Sequence, residues 1–280
     1  MVSIVILSYN TKQLLEACLT SIYTQIKQTP FEVIVVDNAS TDASCEMVKK
    51  KFKKARLIQN SENVGFAKGN NIAAEHAKGE FLLFLNSDTE VVDDTLKEMI
   101  GYLQNNKQVG ITGGKLVEAS KKPQQSYGRF LTFTSVFLLL FFPSLVHKKE
   151  YLTSKEVDWV SGAFMLIRRS LFTSVGSFDP HFFMYVEDME LCLRIKKAGY
   201  TTVYFPHASV KHVGQGSSNR AFAVLHIYTG ILYYFKKHKS TVEYTLVKIL
   251  LRIKTYSALL LGILTGNKYL LLTYKQVLRF

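Results

Sequence analysis

Short apolar runs alternate with amphipathic stretches over the first hundred residues. Residues 2–8 (VSIVILS) are almost wholly apolar and predict a buried strand. Residues 11–27 predict a helix with Leu14, Leu15, Leu19 and Ile22 on one face. A second strand is expected at 32–36 (EVIVV), ending at Asp37, and a helix at 40–53, where Ser40 and Asp42 are good N-cap types. A third strand at 55–59, a helix at 66–78, a fourth strand at 81–85 (FLLFL) and a helix at 93–106 continue the alternation. Uniformly apolar strands separated by helices imply an α/β fold with a mostly parallel central sheet flanked by helices. Such sheets bind ligands beyond the carboxyl ends of their strands. Three of those ends are polar: Ser8-Tyr9-Asn10, Asp37-Asn38 and Asn86-Ser87-Asp88.

The middle of the chain is less regular. Residues 115–129 are polar and read as a loop or edge hairpin. Residues 130–146 carry no charge, but at 17 residues with Pro143 inside they make a poor spanning helix and read as a buried or interfacial one. An apolar strand is expected within 157–169, a turn at Phe178-Asp179-Pro180, a helix at 187–198 and a last strand at 201–205.

A length of 280 residues with 48% apolar content suits one large domain, or a smaller one with an appendage, and excludes a disordered chain. The three cysteines are scattered and form no C-x-x-C pair, so a reducing compartment is expected. The apolar run at 2–7 has no basic leader and is too short for a signal-peptide core, so export is not expected. Charge is uneven: residues 236–280 hold nine Lys/Arg against Glu243 alone, which supplies +8 of the net +13. Val242, Leu246, Ile249, Leu250, Ile253 and Leu260 recur there at helical spacing, with Lys248 and Arg252 on another face. That pattern fits an interfacial helix on an anionic membrane better than a nucleic-acid arm; a helix packed on the preceding domain is the other reading.

There is no G-x-G-x-x-G after the first strand, GITGGK at 110–115 lacks P-loop spacing, and neither H-E-x-x-H nor G-x-S-x-G occurs. The blocks VSIVILSYN, VIVVDNASTD, NVGFAKGNN, FLLFLNSDT, WVSGAFMLIRRSLF…GSFDPHFFMYVEDMELCLRIKKAGY and VKHVGQGSS do resemble glycosyltransferase family 2 over residues 2–218. The branch they look most like is the rhamnosyltransferase-like enzymes of bacterial surface polysaccharides. The resemblance implies a GT-A fold, a nucleotide-sugar donor, a divalent metal (Mg or Mn) and inversion at the anomeric carbon. It places a glycosyltransferase domain at 1–218, with a nucleotide-sugar-binding half at 1–106 and an acceptor half at 107–218. Residues 219–280 then form a basic, helical, membrane-associating extension.

Carried onto this chain, the resemblance assigns donor binding to Ser8, Tyr9, Asn10, Asp37, Asn38, Asn63, Gly65, Phe66, Asn70, Asn86, Ser87 and Asp88. Asp37 can accept hydrogen bonds from a uracil or thymine ring or from ribose. Asn86-Ser87-Asp88 stands where the family has D-x-D, so Asn86 replaces the first aspartate and Asp88 remains the anionic metal ligand, joined by His212. Glu187-Asp188 matches the E-D motif, with Asp188 as general base and Glu187 assisting. Trp159, Gly162 and Ala163 are expected to border the acceptor. Structural readings stand beside these: Asp42 as a helix cap, Tyr9 as a rim aromatic, Trp159 as core, His212 as a structural histidine, and Arg194 as an ion-pair partner of Glu190. The expected donor is dTDP-rhamnose, with a UDP-hexose or UDP-galactofuranose as alternative, and the acceptor a glycan or lipid-linked glycan on the cytoplasmic face of the cell membrane. A non-catalytic sugar-nucleotide-binding scaffold is the competing class. A nucleic-acid partner rests on charge alone and is not expected.

Overall fold

A computed structural model describes the chain except residues 119, 121, 146–150, 215–219 and 279–280. The first part runs β1 (Val2–Ser8), α1 (Lys12–Gln25), β2 (Phe31–Asp37), α2 (Ser44–Lys51), β3 (Arg56–Gln59), α3 (Phe66–Glu75), β4 (Phe81–Asn86), β5 (Thr89–Val91) and α4 (Leu96–Asn105). Next come β6 (Val109–Val117), β7 (Pro123–Gln124), β8 (Tyr127–Gly128), α5 (Phe133–Phe141) and a 3-10 turn (Pro143–Leu145). The remainder is β9 (Lys155–Val157), β10 (Trp159–Val160), β11 (Phe164–Arg168), α6 (Arg169–Ser174), α7 (Glu187–Lys197), β12 (Thr201–His212), α8 (Arg220–His238), α9 (Thr241–Thr265) and α10 (Lys268–Val277).

The chain divides into two compact units. The first comprises Met1–Arg129, Glu150–His181 and Asp188–Ser217; the second comprises Phe130–Lys149, Phe182–Glu187 and Ser218–Phe280. In the first, a mixed, mostly parallel sheet has the order β3-β2-β1-β4-β11-β6-β12-β5 among the described residues. Strands β3, β2, β1 and β4 are parallel, as uniformly apolar strands separated by helices require. β11 then runs antiparallel to both β4 and β6, and β12 is parallel to β6. The side chains of Ile4, Val5, Ile6, Leu15, Leu19, Ile22, Val35 and Leu83 are buried, which fixes the register of β1, β2 and β4 against their helices. Cys18, Cys45 and Cys192 are buried free thiols.

Three elements differ from the sequence pattern. Strand β6 begins at Val109, inside a glycine-containing stretch of low strand propensity; a Cβ on Gly113 would lie 2.4 Å from Val160 Cβ, so tight packing demands glycine there. Its end pairs with β7 as a short edge hairpin, within the region read as loop or hairpin. The strand expected across 157–169 breaks at Ser161–Ala163 into β10 and β11. The last strand does not stop at residue 205 but runs to His212, with a register shift between Phe205 and Ser209 that takes up Pro206, whose missing N–H cannot join a ladder.

In the second unit α8, α9 and α10 pack together, and α5 packs on α9. Tyr234, Phe235, Val247 and Leu251 are buried in it. Helix α9 opens with a capping box between Ser240 and Glu243 and closes at Gly266. Helix α5 covers only nine residues; Val136 is fully buried, whereas Phe137 and Leu139 stay exposed. Among the described residues no helix is long and apolar enough to cross a membrane. Arg279, counted in the basic tail, lies outside the described residues.

The packing at Gly113 makes a stability contrast. Gly113→Ala is expected to cost about 1–3 kcal/mol in urea unfolding, because the Val160 branch on a neighbouring strand cannot withdraw. Gly101→Ala, in α4 with nothing within 4 Å of the new Cβ, should stabilise by up to about 1 kcal/mol.

Candidate active site

The carboxyl ends of β1, β2 and β4 meet at one rim, with Ser8 beside Asp37 and Leu7 beside Asn86 in register. Ser8 Oγ lies 3.0 Å from Thr11 Oγ1, and Thr11 donates to Ser87 Oγ at 3.1 Å. This buried hydroxyl chain ties the start of α1 to the Asn86-Ser87-Asp88 turn. Asn10, at φ +53°, donates its N–H to Ser40 Oγ and accepts from Thr41 N–H, both at 2.8 Å. Asp42 accepts from the N–H groups of Lys12 and Ser44, so it braces two helix starts and not only its own. Burial pushes its carboxyl up, but these bonds and the Ser44 hydroxyl outweigh that and hold it below the usual carboxylate range. Tyr9 stands exposed at the rim.

Asp37 accepts from Ser40 N–H at 2.8 Å through Oδ1, while Oδ2 is buried without a hydrogen bond of good geometry among the described residues. The Cys45 thiol beside it is pushed up to about 11, first by burial and then by this carboxylate. Asn38 is fully engaged: its amide donates to Asn63 Oδ1 (3.1 Å) and Gly65 O (3.2 Å), and its carbonyl accepts from Asn60 (2.8 Å). Gly65 sits at φ +82° and ψ −178°, a conformation essentially confined to glycine. Asn70 donates to Phe66 O inside α3, and the Phe66 ring packs edge-on against Phe178. Asn38, Asn63, Phe66 and Asn70 therefore shape the loop, whereas Tyr9 is exposed at the rim and Asp37 is buried at the end of β2.

Strand β12 delivers the next component. His212 pairs with Thr89 of β5, and Val213 N–H donates to Asp88 O at 3.0 Å. The imidazole Nε2 lies 3.4 Å from Asp88 Oδ1 and 3.5 Å from Asn86 Nδ2, with the Asp88 and His212 side chains only 11% and 15% exposed. Gln124, on β7, was not visible in the sequence as a site residue. Its Nε2 donates to His212 O (3.0 Å), which turns its Oε1 toward His212 Nδ1 (2.6 Å). Only an N–H can meet that oxygen, so Nδ1 carries a proton and Nε2 is left to face Asp88 and the Asn86 amide. The Nε2–Asp88 contact is favourable with positive charge between the two atoms, supplied by a second proton or by a cation. Among the described residues no group of three or more His, Cys, Asp or Glu side chains is positioned to hold a metal. Asp88 and His212, with Asn86 beside them, fit a cation that completes its shell from water and a bound diphosphate. The residues 215–218 of the same motif lie outside the described residues.

The reversal at Ser161–Ala163 joins this cluster to the E-D motif. Ala163 O accepts from Asn86 N–H, and Gly162 N–H donates to Asp188 Oδ2, both at 3.1 Å. Asp188 Oδ1 accepts from Met189 N–H at 2.7 Å. Burial raises the Asp188 carboxyl above its ordinary range, and the backbone hydrogen bonds offset only part of that. Glu187 is buried at the start of α7. It follows Tyr185 and Val186 at φ +70° and +72°, an unfavourable region for a β-branched residue. In the second unit Phe182 packs on Tyr233 and Phe183 on His226, so α8 holds this strained segment. Arg194 is committed to Glu190 and to the carbonyls of Val175 and Ser177. Trp159 packs over Gly128 and donates to Arg129 O at 3.1 Å, a packing role three residues away from Gly162.

Comparison with known proteins agrees with this fold. Residues 3–185 match the family model for glycosyl transferase family 2. An N-acetylglucosaminyl-diphospho-decaprenol L-rhamnosyltransferase of Mycobacterium tuberculosis is 27% identical over 238 residues, covering 78% of this chain and 77% of that protein. The rhamnosyltransferase WbbL of Escherichia coli K12 is 31% identical over 56% of this chain and 64% of its own. Among solved structures, a mannosyltransferase of Pyrobaculum calidifontis in complex with GDP-Man and Mn2+ superposes with a TM-score of 0.59 at 21% identity, covering 99% of this chain and 73% of that one. GalNAc-T7 with UDP, GalNAc and Mn2+ superposes at 0.62 and 17% identity, over 84% of this chain and 47% of its own. These likenesses establish a GT-A-like fold.

The Gln124 contact has a direct spectroscopic consequence. Imidazole 15N shifts of the folded protein at alkaline pH should show His212 as the Nδ1–H tautomer. In Gln124→Leu the ring is free to place its proton on Nε2, where it donates to Asp88; an unchanged tautomer in that variant would mean that Gln124 does not set it.

Proposed function

Because the chain belongs to glycosyltransferase family 2, we propose that it is an inverting, metal-dependent enzyme that moves a sugar from a nucleotide donor to a glycan or lipid-linked acceptor. The observation that carries the reading is the pair of hydrogen bonds through Gly162 and Ala163, which ties the Asp188 carboxylate to the Asn86–Asp88–His212 cluster. A base and a charge-stabilising site that close together suit attack on one face of a sugar while a diphosphate leaves from the other.

In this reading Asp37 Oδ2 receives an N–H of the nucleobase or a ribose hydroxyl, which would satisfy a buried acceptor. Tyr9 lies where a base can stack. Asp88 and His212, flanked by Asn86, hold a divalent ion, which when bound offsets charge on the departing diphosphate. Asp188 takes the proton of the acceptor hydroxyl as that oxygen attacks. Its carboxyl, raised by burial, makes it a stronger base than an ordinary aspartate. Gly162 and Ala163 leave room for the acceptor. dTDP-rhamnose is the first donor to try, since two relatives are rhamnosyltransferases. A UDP-hexose or UDP-galactofuranose is the alternative. The basic, apolar C-terminal helices support placement on the inner face of the cell membrane.

Turnover of dTDP-, UDP- and GDP-sugars, with Mn2+, Mg2+ or EDTA, tests the reading. Asp88→Ala should abolish most turnover and weaken donor binding, and full activity in EDTA would remove the metal from the mechanism.

Asp188→Asn should lower kcat by about 10²-fold or more with little change in donor affinity. Glu187→Gln should be milder, and the opposite ranking would exchange their roles. In the wild type, kcat/KM should fall on acidification with a midpoint above the usual carboxylate range. The raised value also means that the folded state binds this proton more tightly than the unfolded chain. Folding is then favoured below the native pKa and loses that contribution as pH rises, so Asp188→Asn should be no less stable than wild type at neutral pH. Lost activity in that variant would therefore not reflect unfolding.

A further inference from the structure

Thr11 stands at the N-cap of α1, where a threonine hydroxyl ordinarily accepts from an N–H of the first turn. Here it makes no such bond. Asp42, from the segment between β2 and α2, accepts instead from the N–H of Lys12, the first residue of the helix, at 2.7 Å. The helix start is therefore served from elsewhere, and the Thr11 side chain, buried beneath the rim, is turned to Ser8 and Ser87.

A hydroxyl has one hydrogen to give. Thr11 gives its hydrogen to Ser87 Oγ at 3.1 Å, so Ser8 is the donor in the 3.0 Å contact with Thr11. The chain then has one sense, from Ser8 through Thr11 to Ser87, and it ends in the hydrogen of Ser87. That residue is 8% exposed, and no group among the described residues accepts from its hydroxyl. Each bond in such a chain polarises the next, so a hydroxyl that accepts from Thr11 donates more strongly. Ser87 stands between Asn86 and Asp88, the residues assigned above to a cation and the diphosphate beside it. The oxygens of a diphosphate accept and have no hydrogen to give, which suits a polarised donor at that place.

We propose that Thr11 is a positioning residue: it directs the Ser87 hydrogen onto an oxygen of the donor's diphosphate, and it is free to do so because Asp42 serves the helix start in its stead. The proposal rests on the nucleotide-donor reading given above and adds to it a residue that makes no contact with the donor. Ribose is the other part of a nucleotide that could meet Ser87. Its hydroxyls carry hydrogens of their own, so they do not require a donor from the protein.

Binding of dTDP, UDP and GDP, each with Mg2+, is to be measured by titration calorimetry on the full chain. Thymidine, uridine and guanosine are followed in parallel by ligand-observed NMR. The variants are Thr11→Val, Thr11→Ser, Ser87→Ala and the pair Thr11→Val/Ser87→Ala, each checked for folding by circular dichroism. For the diphosphate that wild type binds, Ser87→Ala and Thr11→Val are each expected to weaken affinity about tenfold, as for the loss of one hydrogen bond to a charged group. The double variant should be no weaker than either single one, because both remove the same bond. Thr11→Ser keeps the hydroxyl and should keep the affinity, and nucleoside binding should be the same in every variant. Should Thr11→Val not fold, Thr11→Ala takes its place in the cycle. Unchanged diphosphate affinity in Ser87→Ala would overturn the contact. Additive losses in the double variant would leave Thr11 a packing role and overturn the positioning one. Equal losses for nucleoside and diphosphate would move the contact to the ribose or base and overturn the assignment to phosphate. No binding of any nucleoside diphosphate by wild type would sink the donor reading itself.

Discussion

The site depends on one reversal of strand direction. β11 enters the sheet antiparallel between β4 and β6, so its amino end, and not its carboxyl end, arrives at the rim where β1, β2 and β4 finish. Gly162 and Ala163, just before that strand, can then offer one N–H to Asp188 and one carbonyl to Asn86. With β11 parallel to β4, those two residues would sit at the opposite edge of the sheet. The tight packing of β6 on β10 serves the same arrangement, because the glycine at 113 lets Val160 close down on the sheet two residues before Gly162.

Around that reversal two carboxylates are set in contrasting surroundings. Asp88 Oδ1 faces His212 Nε2 at 3.4 Å, while Gln124 holds the other ring nitrogen. Asp188 is half-buried and braced by backbone N–H groups, and burial raises its carboxyl above the range of an exposed aspartate. In the proposed function, these contrasting environments would divide the roles of two acids in one site. Among the described residues no three His, Cys, Asp or Glu side chains gather to hold a metal, so a cation in the proposed role would draw the rest of its shell from water and diphosphate.

The second unit adds a different kind of constraint. Helix α8 buries Tyr228, Tyr234 and Phe235 and also backs the Phe182–Glu187 segment, whose left-handed residues Tyr185 and Val186 lead into the E-D motif. Strain of about 1–3 kcal/mol at each such residue persists only where packing holds it. The packing of α8 thus holds the backbone that leads to Glu187.

Much was legible from local pattern. Apolar runs of strand length placed β1, β2 and β4 within a residue of their ends, because burial on both faces of a sheet leaves an uninterrupted apolar run, and the three polar ends they carry form one rim. The Asp88–His212 pairing was reachable only through resemblance, since 124 residues separate them and no spacing rule links strand ends so distant. Gln124, the break at Ser161–Ala163 and the extension of β12 to His212 left no signal, because each depends on which strand lies alongside. The basic tail announced its apolar helix, but not that Leu250 would turn inward while Ile249 and Ile253 remained exposed. Side-chain periodicity determined the elements and their apolar faces; long-range pairing decided which ends meet and which apolar face is covered, and that energy is absent from any short window of sequence.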